Sequence, residues 1–125
     1  METERDESTG GWLCRLSDPE GGAPLELSVQ LADDWLVVAL FVDVPAAPAL
    51  AVSLLKLNAS LAHAKVGLGA GTTVVLWTEV AARDASAEQI ASAAGAVVAA
   101  LGELRAVVRR AMSRQRTPFQ LSNPE

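Results

Sequence analysis

The clearest pattern in the chain lies at residues 25–31, LELSVQL, where Leu25, Leu27, Val29 and Leu31 alternate with Glu26, Ser28 and Gln30. Alternation puts the four apolar side chains on one face of an extended chain, which predicts a half-buried strand. ADD (32–34) offers a hairpin turn, and WLVVALFVDV (35–44) is apolar at almost every position. Such a run predicts a strand covered on both faces, one by core helices and the other by a partner. Upstream, WLCRLSD (12–18) is a shorter, partly alternating strand, and PEGGAP (19–24) is dense in turn residues.

The period changes after Pro45 and Pro48, which end the strand and suit the first turn of a helix. In ALAVSLLKLNASLA (49–62), Leu50, Leu54, Leu57 and Leu61 fall four, three and four apart, a single stripe on a helix. HAKVGL (63–68) then predicts a short strand, GAGT (69–72) a turn, and TVVLWTEV (73–80) a strand rich in β-branched residues. RDASAEQ (83–89) starts a second helix, with Ser86 and Gln89 at capping-box spacing. That helix is expected to reach about Met112 along a seam of Ile90, Ala94, Val97, Leu101, Leu104, Val108 and Ala111, facing the core or another helix. Gly95 and Gly102 interrupt it; each costs about 1 kcal/mol against Ala at an exposed site, so both are expected to mark a close backbone approach.

Residues 1–11, METERDESTGG, are polar and acidic and are expected to form a disordered leader. Residues 12–112 are expected to form one domain and 113–125 an irregular tail. Consecutive strands with short turns pair antiparallel, so the fold class is α+β. The expected architecture is a sheet of about five strands in the order β-β-β-α-β-β-α, packed against the long C-terminal helix.

Composition narrows the function. Half of the residues are apolar and the net charge is −5, which argues against a nucleic-acid partner because phosphate contacts need a basic surface. Residues 1–34 carry nine acids against Arg5 and Arg15, a balance of −7. Residues 86–116 carry Arg105, Arg109, Arg110, Arg114 and Arg116 against Glu88 and Glu103, a balance of +3, read as cations complementing a helix C-terminus. The longest nearly uncharged run, 35–55, is broken by Asp43, Pro45 and Pro48 and is no membrane span. The N-terminus has no apolar signal-peptide region, so a cytoplasmic protein is expected.

Candidate chemistry is sparse. Cys14 is the single cysteine and reads as a small buried hydrophobe, with no disulfide or cysteine-based zinc site open to it. His63 is the single histidine; it follows a helix and suits a C-terminal cap there better than a general base. GLGAG (67–71) joins two strands and reads as a hairpin turn, since a dinucleotide loop must open a helix. Asp33 and Asp34 are turn residues, and Asp43 and Glu79 lie near strand ends with no partner implied. No catalytic residue, metal ligand or cofactor is assigned. Trp12, Trp35 and Trp77 are more informative, because each lies in a strand of a chain with few aromatics. Trp77 is expected in the core. Aromatics on a sheet also anchor bound peptides or subunits, so Trp12, Trp35, Val37, Phe41 and Trp77 are the candidate partner-binding residues.

The motif set resembles the YbjN-like and type III secretion chaperone-like proteins. The resemblance rests on Leu54, Leu57, Asn58 and Leu61 (L-x-x-L-N-x-x-L), Ala64 to Leu68, Val74 to Val80, and Ala87 to Ile90, after the paired strands of ELSVQLADDWLVVALFVDVP. It covers roughly residues 24–108. The family usually begins with a helix, which residues 1–11 are too short and polar to supply. The resemblance implies a compact, non-enzymatic α+β domain, often a homodimer, that binds protein segments. The expectation is therefore a chaperone-like module holding a segment of a partner protein. The alternatives are a structural homodimer or assembly subunit built on the long helix and, more remotely, a small enzyme using His63 or Asp43.

Overall fold

The structure, a computed structural model, describes residues 2–7 and 10–121, with side chains described outside positions 2, 6 and 114–121. Six strands and two helices follow one another as β1 (Glu2–Asp6), β2 (Gly11–Leu16), β3 (Leu25–Ala32), β4 (Trp35–Asp43), α1 (Pro48–Ser60), β5 (Lys65–Leu68), β6 (Thr73–Ala81) and α2 (Ala87–Leu121). The fold is α+β, with one antiparallel sheet in the order β1-β2-β3-β4-β6-β5.

Both helices pack on one side of this sheet. Leu27 and Val29 of β3, Val38 and Leu40 of β4, and Val74 and Leu76 of β6 meet Leu50, Leu54 and Leu57 of α1 and Val97, Leu101 and Leu104 of α2 in a single core. The leucine stripe of α1 and the seam of α2 are thus core contacts. α2 passes the length and hydropathy test for a membrane span over Ala87–Ser113, but its apolar stripe is consumed by the sheet and α1. At its start Ser86 Oγ accepts from the Gln89 N–H at 3.1 Å, one arm of the expected capping box. The motif asparagine also has a structural task. Asn58 Oδ1 accepts from the Val66 N–H at 2.8 Å, fastening the end of α1 to β5.

Four expectations change. The strand β1 lies where a disordered leader was expected, and it adds a sixth strand to the sheet. It is an edge strand held by its ladder with β2, and backbone pairing needs no apolar face to be seen in the sequence. The backbone of α2 continues past Met112 to Leu121, so most of the expected irregular tail is helical; residues 122–125 lie outside the described residues. Gly95 and Gly102 are exposed with no atom within 4 Å of an added Cβ, so no close approach accounts for them.

The fourth change concerns the arginines. Because α2 is longer, Arg105 and Arg109 lie well before its end and act on the β2–β3 loop instead of the helix terminus. Arg105 donates in fork geometry to both carboxylate oxygens of Asp18, at 2.7 and 2.6 Å, and reaches Glu20 at 3.1 Å; Arg109 meets Glu20 at 3.2 Å. The Arg105 guanidinium, with a further bond from the Glu20 N–H, holds the Asp18 carboxyl down at about 2. A depressed folded-state pKa stabilises fully above the unfolded value and loses its effect as pH falls through the folded one. Asp18→Asn should therefore lower Tm at neutral pH. The gap to the native chain should close between about pH 4, near the ordinary aspartate value, and the folded value near 2, as a thermal melt series would show.

Candidate functional site

Among the described residues, no helix lies on the sheet's other side. Because directly paired residues share a face, the register of the ladders maps this surface. Phe41 pairs with Val75, Ala39 with Trp77, Val37 with Glu79 and also Gln30, and Trp35 with Ala32 and Ala81. These are the odd positions of β4 and β6, opposite in parity to Val38, Leu40, Val74 and Leu76 of the core. Trp35, Val37, Ala39, Phe41, Val75 and Trp77 consequently form one apolar band across two neighbouring strands. Phe41 is 61% exposed and Trp35 47% exposed. This is the second covered face that the sequence of β4 predicted, but among the described residues nothing covers it.

The band has a defined border. Lys65 of β5 stands over the Trp77 ring at 5.3 Å, a cation–π contact worth about 0.5–1 kcal/mol at an exposed site. Gly67 lies opposite Val75, and a Cβ there would meet Val75 Cγ1 at 3.0 Å and Trp77 Nε1 at 3.6 Å. The missing side chain leaves room for the indole to lie over β5. Asp43 closes the band at one end and accepts from Thr73 Oγ1 at 3.0 Å, while Glu79 flanks it opposite Val37, one pair short of Trp35 and Ala81. The border is thus more acidic than basic around an aromatic and aliphatic centre.

Of the five residues picked from the sequence, Trp35, Val37, Phe41 and Trp77 come together on this face. Trp77 is half-buried there, not in the core as expected, because its parity on β6 matches Val75 and Glu79. Trp12 lies apart. It pairs with Val29, a core-side residue, so its ring is on the helix side of the sheet near the start of α2, 42% exposed. Nothing in the spacing of β2 and β3 across PEGGAP fixes that register in advance.

The residues weighed for catalysis stay separate. Asp43 and Glu79 share a face but lie six positions apart along the ladder, about 20 Å at strand rise. Cys14 is buried on β2, its thiol pushed up by burial, and three strands stand between it and the exposed His63 beside β5. His63 makes no bond to the last turn of α1, whose closing contact is the Leu61 N–H to the Leu57 carbonyl. Among the described residues, no three His, Cys, Asp or Glu side chains gather as a metal site would require.

A scan against protein families finds no match for this chain, and a search of curated proteins finds none either. A search of solved structures finds matches. The ExoU–SpcU heterodimer of the Pseudomonas aeruginosa type III secretion system aligns over 89% of this chain and 84% of the matched chain, with a TM-score of 0.45 and 23% identity. YbjN from E. coli aligns over 92% of this chain and 84% of its own, with a TM-score of 0.62 and 16% identity, so the fold to which the leucine helix, the asparagine clamp and the six-stranded sheet belong is YbjN-like.

Proposed function

We propose that this chain is a non-enzymatic, chaperone-like binding module of the cytoplasm that holds a segment of a partner protein against the uncovered face of its sheet. One observation carries the reading: Trp35, Val37, Phe41 and Trp77 form a contiguous apolar band that no described element covers. Aromatic anchors at the centre and charged residues at the border are the composition of a protein-binding patch. The acidic border of Asp43 and Glu79 favours an apolar segment flanked by lysine or arginine. Catalysis has less support, since polar groups that would have to converge lie on different elements.

The second reading is a homodimer. The apolar band, not the long helix, supports it, because the seam of α2 is already spent on the core. A cross-linked pull-down of the tagged chain from its own cell lysate, read by mass spectrometry, separates the two. The binding module predicts one or a few partner proteins, lost when Trp35→Ala is used as bait while its melting curve stays unchanged. Recovery of the chain alone supports the homodimer, and capture that Trp35→Ala leaves intact rules this face out.

A further inference from the structure

A second apolar surface lies on the opposite side of the sheet, at the corner where β1 and β2 meet the first turn of α2. Thr3, Trp12, Cys14, Val29, Leu36 and Ile90 line a cleft of about 350 Å³ there, with Ala87 at its lip. That volume is within the range of small-ligand sites, about 300–1,000 Å³, and corresponds to roughly a dozen water volumes. It is too small for a helix, whose diameter with side chains is about 10–12 Å. The lining holds one hydroxyl, one buried thiol and no carboxylate.

A cation stands beside it, on the Trp12 ring. The pairings Thr3–Cys14 and Arg5–Trp12 put Arg5 on the same side as the lining residues of β1 and β2, and its guanidinium lies 5.9 Å from the Trp12 ring. None of the ion pairs found among the described residues uses Arg5. The exposed Glu88 stands next to Ala87 on α2 but does not line the cleft, where Ala87 and Ile90, three apart, are the helix's contribution.

We propose that this cleft binds a small single-chain amphiphilic carboxylate, its apolar body against Trp12, Val29, Leu36 and Ile90 and its carboxylate on Arg5. The guanidinium supplies a charge-assisted hydrogen bond to a carboxylate and repels a cationic headgroup of equal chain length. The site is separate from the apolar band of β4 and β6, so its occupancy and the protein-binding reading stand or fall independently.

Calorimetric titration of the full chain with decanoate below its micelle concentration tests this, with decyltrimethylammonium as the cation of matching chain. Saturable one-to-one binding of decanoate alone is expected, with amide shifts in a nitrogen–proton spectrum centred on Thr3, Cys14 and Ile90. Arg5→Gln should weaken binding about tenfold or more, the loss of one charged hydrogen bond. Ala87→Leu, at an exposed position that tolerates the change in folding, should fill the lip and abolish binding. The proposal is overturned by absence of saturation, by equal affinity for the two headgroups, by an unchanged Arg5→Gln variant, or by shifts centred on Phe41 and Trp77.

Discussion

Leu40→Ala is expected to cost about 2–5 kcal/mol of folding stability, the range for emptying a buried leucine site. Phe41→Ala, one residue further along β4, is expected to cost less than about 1 kcal/mol, the scale of a lost cross-strand pair. The difference comes from parity alone. Leu40 is 4% exposed among Leu76, Leu27 and the helices, whereas Phe41 faces solvent beside Val75. Against a total of about 5–15 kcal/mol for an ordinary domain, the first change removes a large share and the second almost none. Urea denaturation of both variants checks this directly. A Phe41→Ala variant as unstable as Leu40→Ala would mean that the outer face is packed in the free chain. Under the proposed binding role, the same Phe41→Ala protein should capture no partner from lysate, separating a binding loss from a folding loss.

Gly11→Ala is the second change with a large expected effect, although it adds one methyl group. An added Cβ at Gly11 collides with the carbonyl oxygen of Val29 and comes within 2.9 Å of Gln30 Cγ. The Gln30 side chain can rotate away, but Val29 is fixed in the β2–β3 ladder opposite Trp12. The start of β2 must therefore shift, at a cost of about 1–3 kcal/mol, as for overpacking at other close-fitted sites. Gly10 compounds the constraint, since its φ of +79° makes the turn between β1 and β2 and disfavours a side chain. Hydrogen exchange should show β1 amides losing protection first in Gly11→Ala, while those of β6 remain protected. Uniform loss across the sheet would contradict this account.

These cases show which parts of the molecule its sequence discloses. β3, β4, β6 and both helices follow from periodicity, because each buries one face and the other stays polar or, in β4, apolar too. The uncovered band was legible for the same reason: a strand apolar on both sides needs two covers, and this chain supplies one. β1 was not legible. Its alternation of Thr3 and Arg5 with Glu4 holds no aliphatic residue, and its hold on the sheet is backbone pairing. α2 was read as stopping near Met112 because its apolar seam ends at Ala111, yet the backbone helix continues to Leu121 without that seam. Trp12 was grouped with the wrong tryptophans because face assignment across a loop depends on register. The Asp18–Arg105 clamp joins residues 87 positions apart, a distance at which no local pattern carries information.

That separation matters while the chain is being made. The sheet's covered side, with Leu27, Val38, Leu40 and Leu76, has its principal lid in α2, which follows all six strands in the chain. At translation rates of roughly 5–20 residues per second, Arg105 follows Asp18 by about 4–17 s. In the last part of that interval, once β6 has been made at Ala81, the nascent strands present apolar surface on both sides, one of which awaits the chain's own helix. From Ala81 to Leu104 that exposure lasts about 1–5 s at the same rates, so self-adhesion of the unfinished chain is a hazard its order of elements creates.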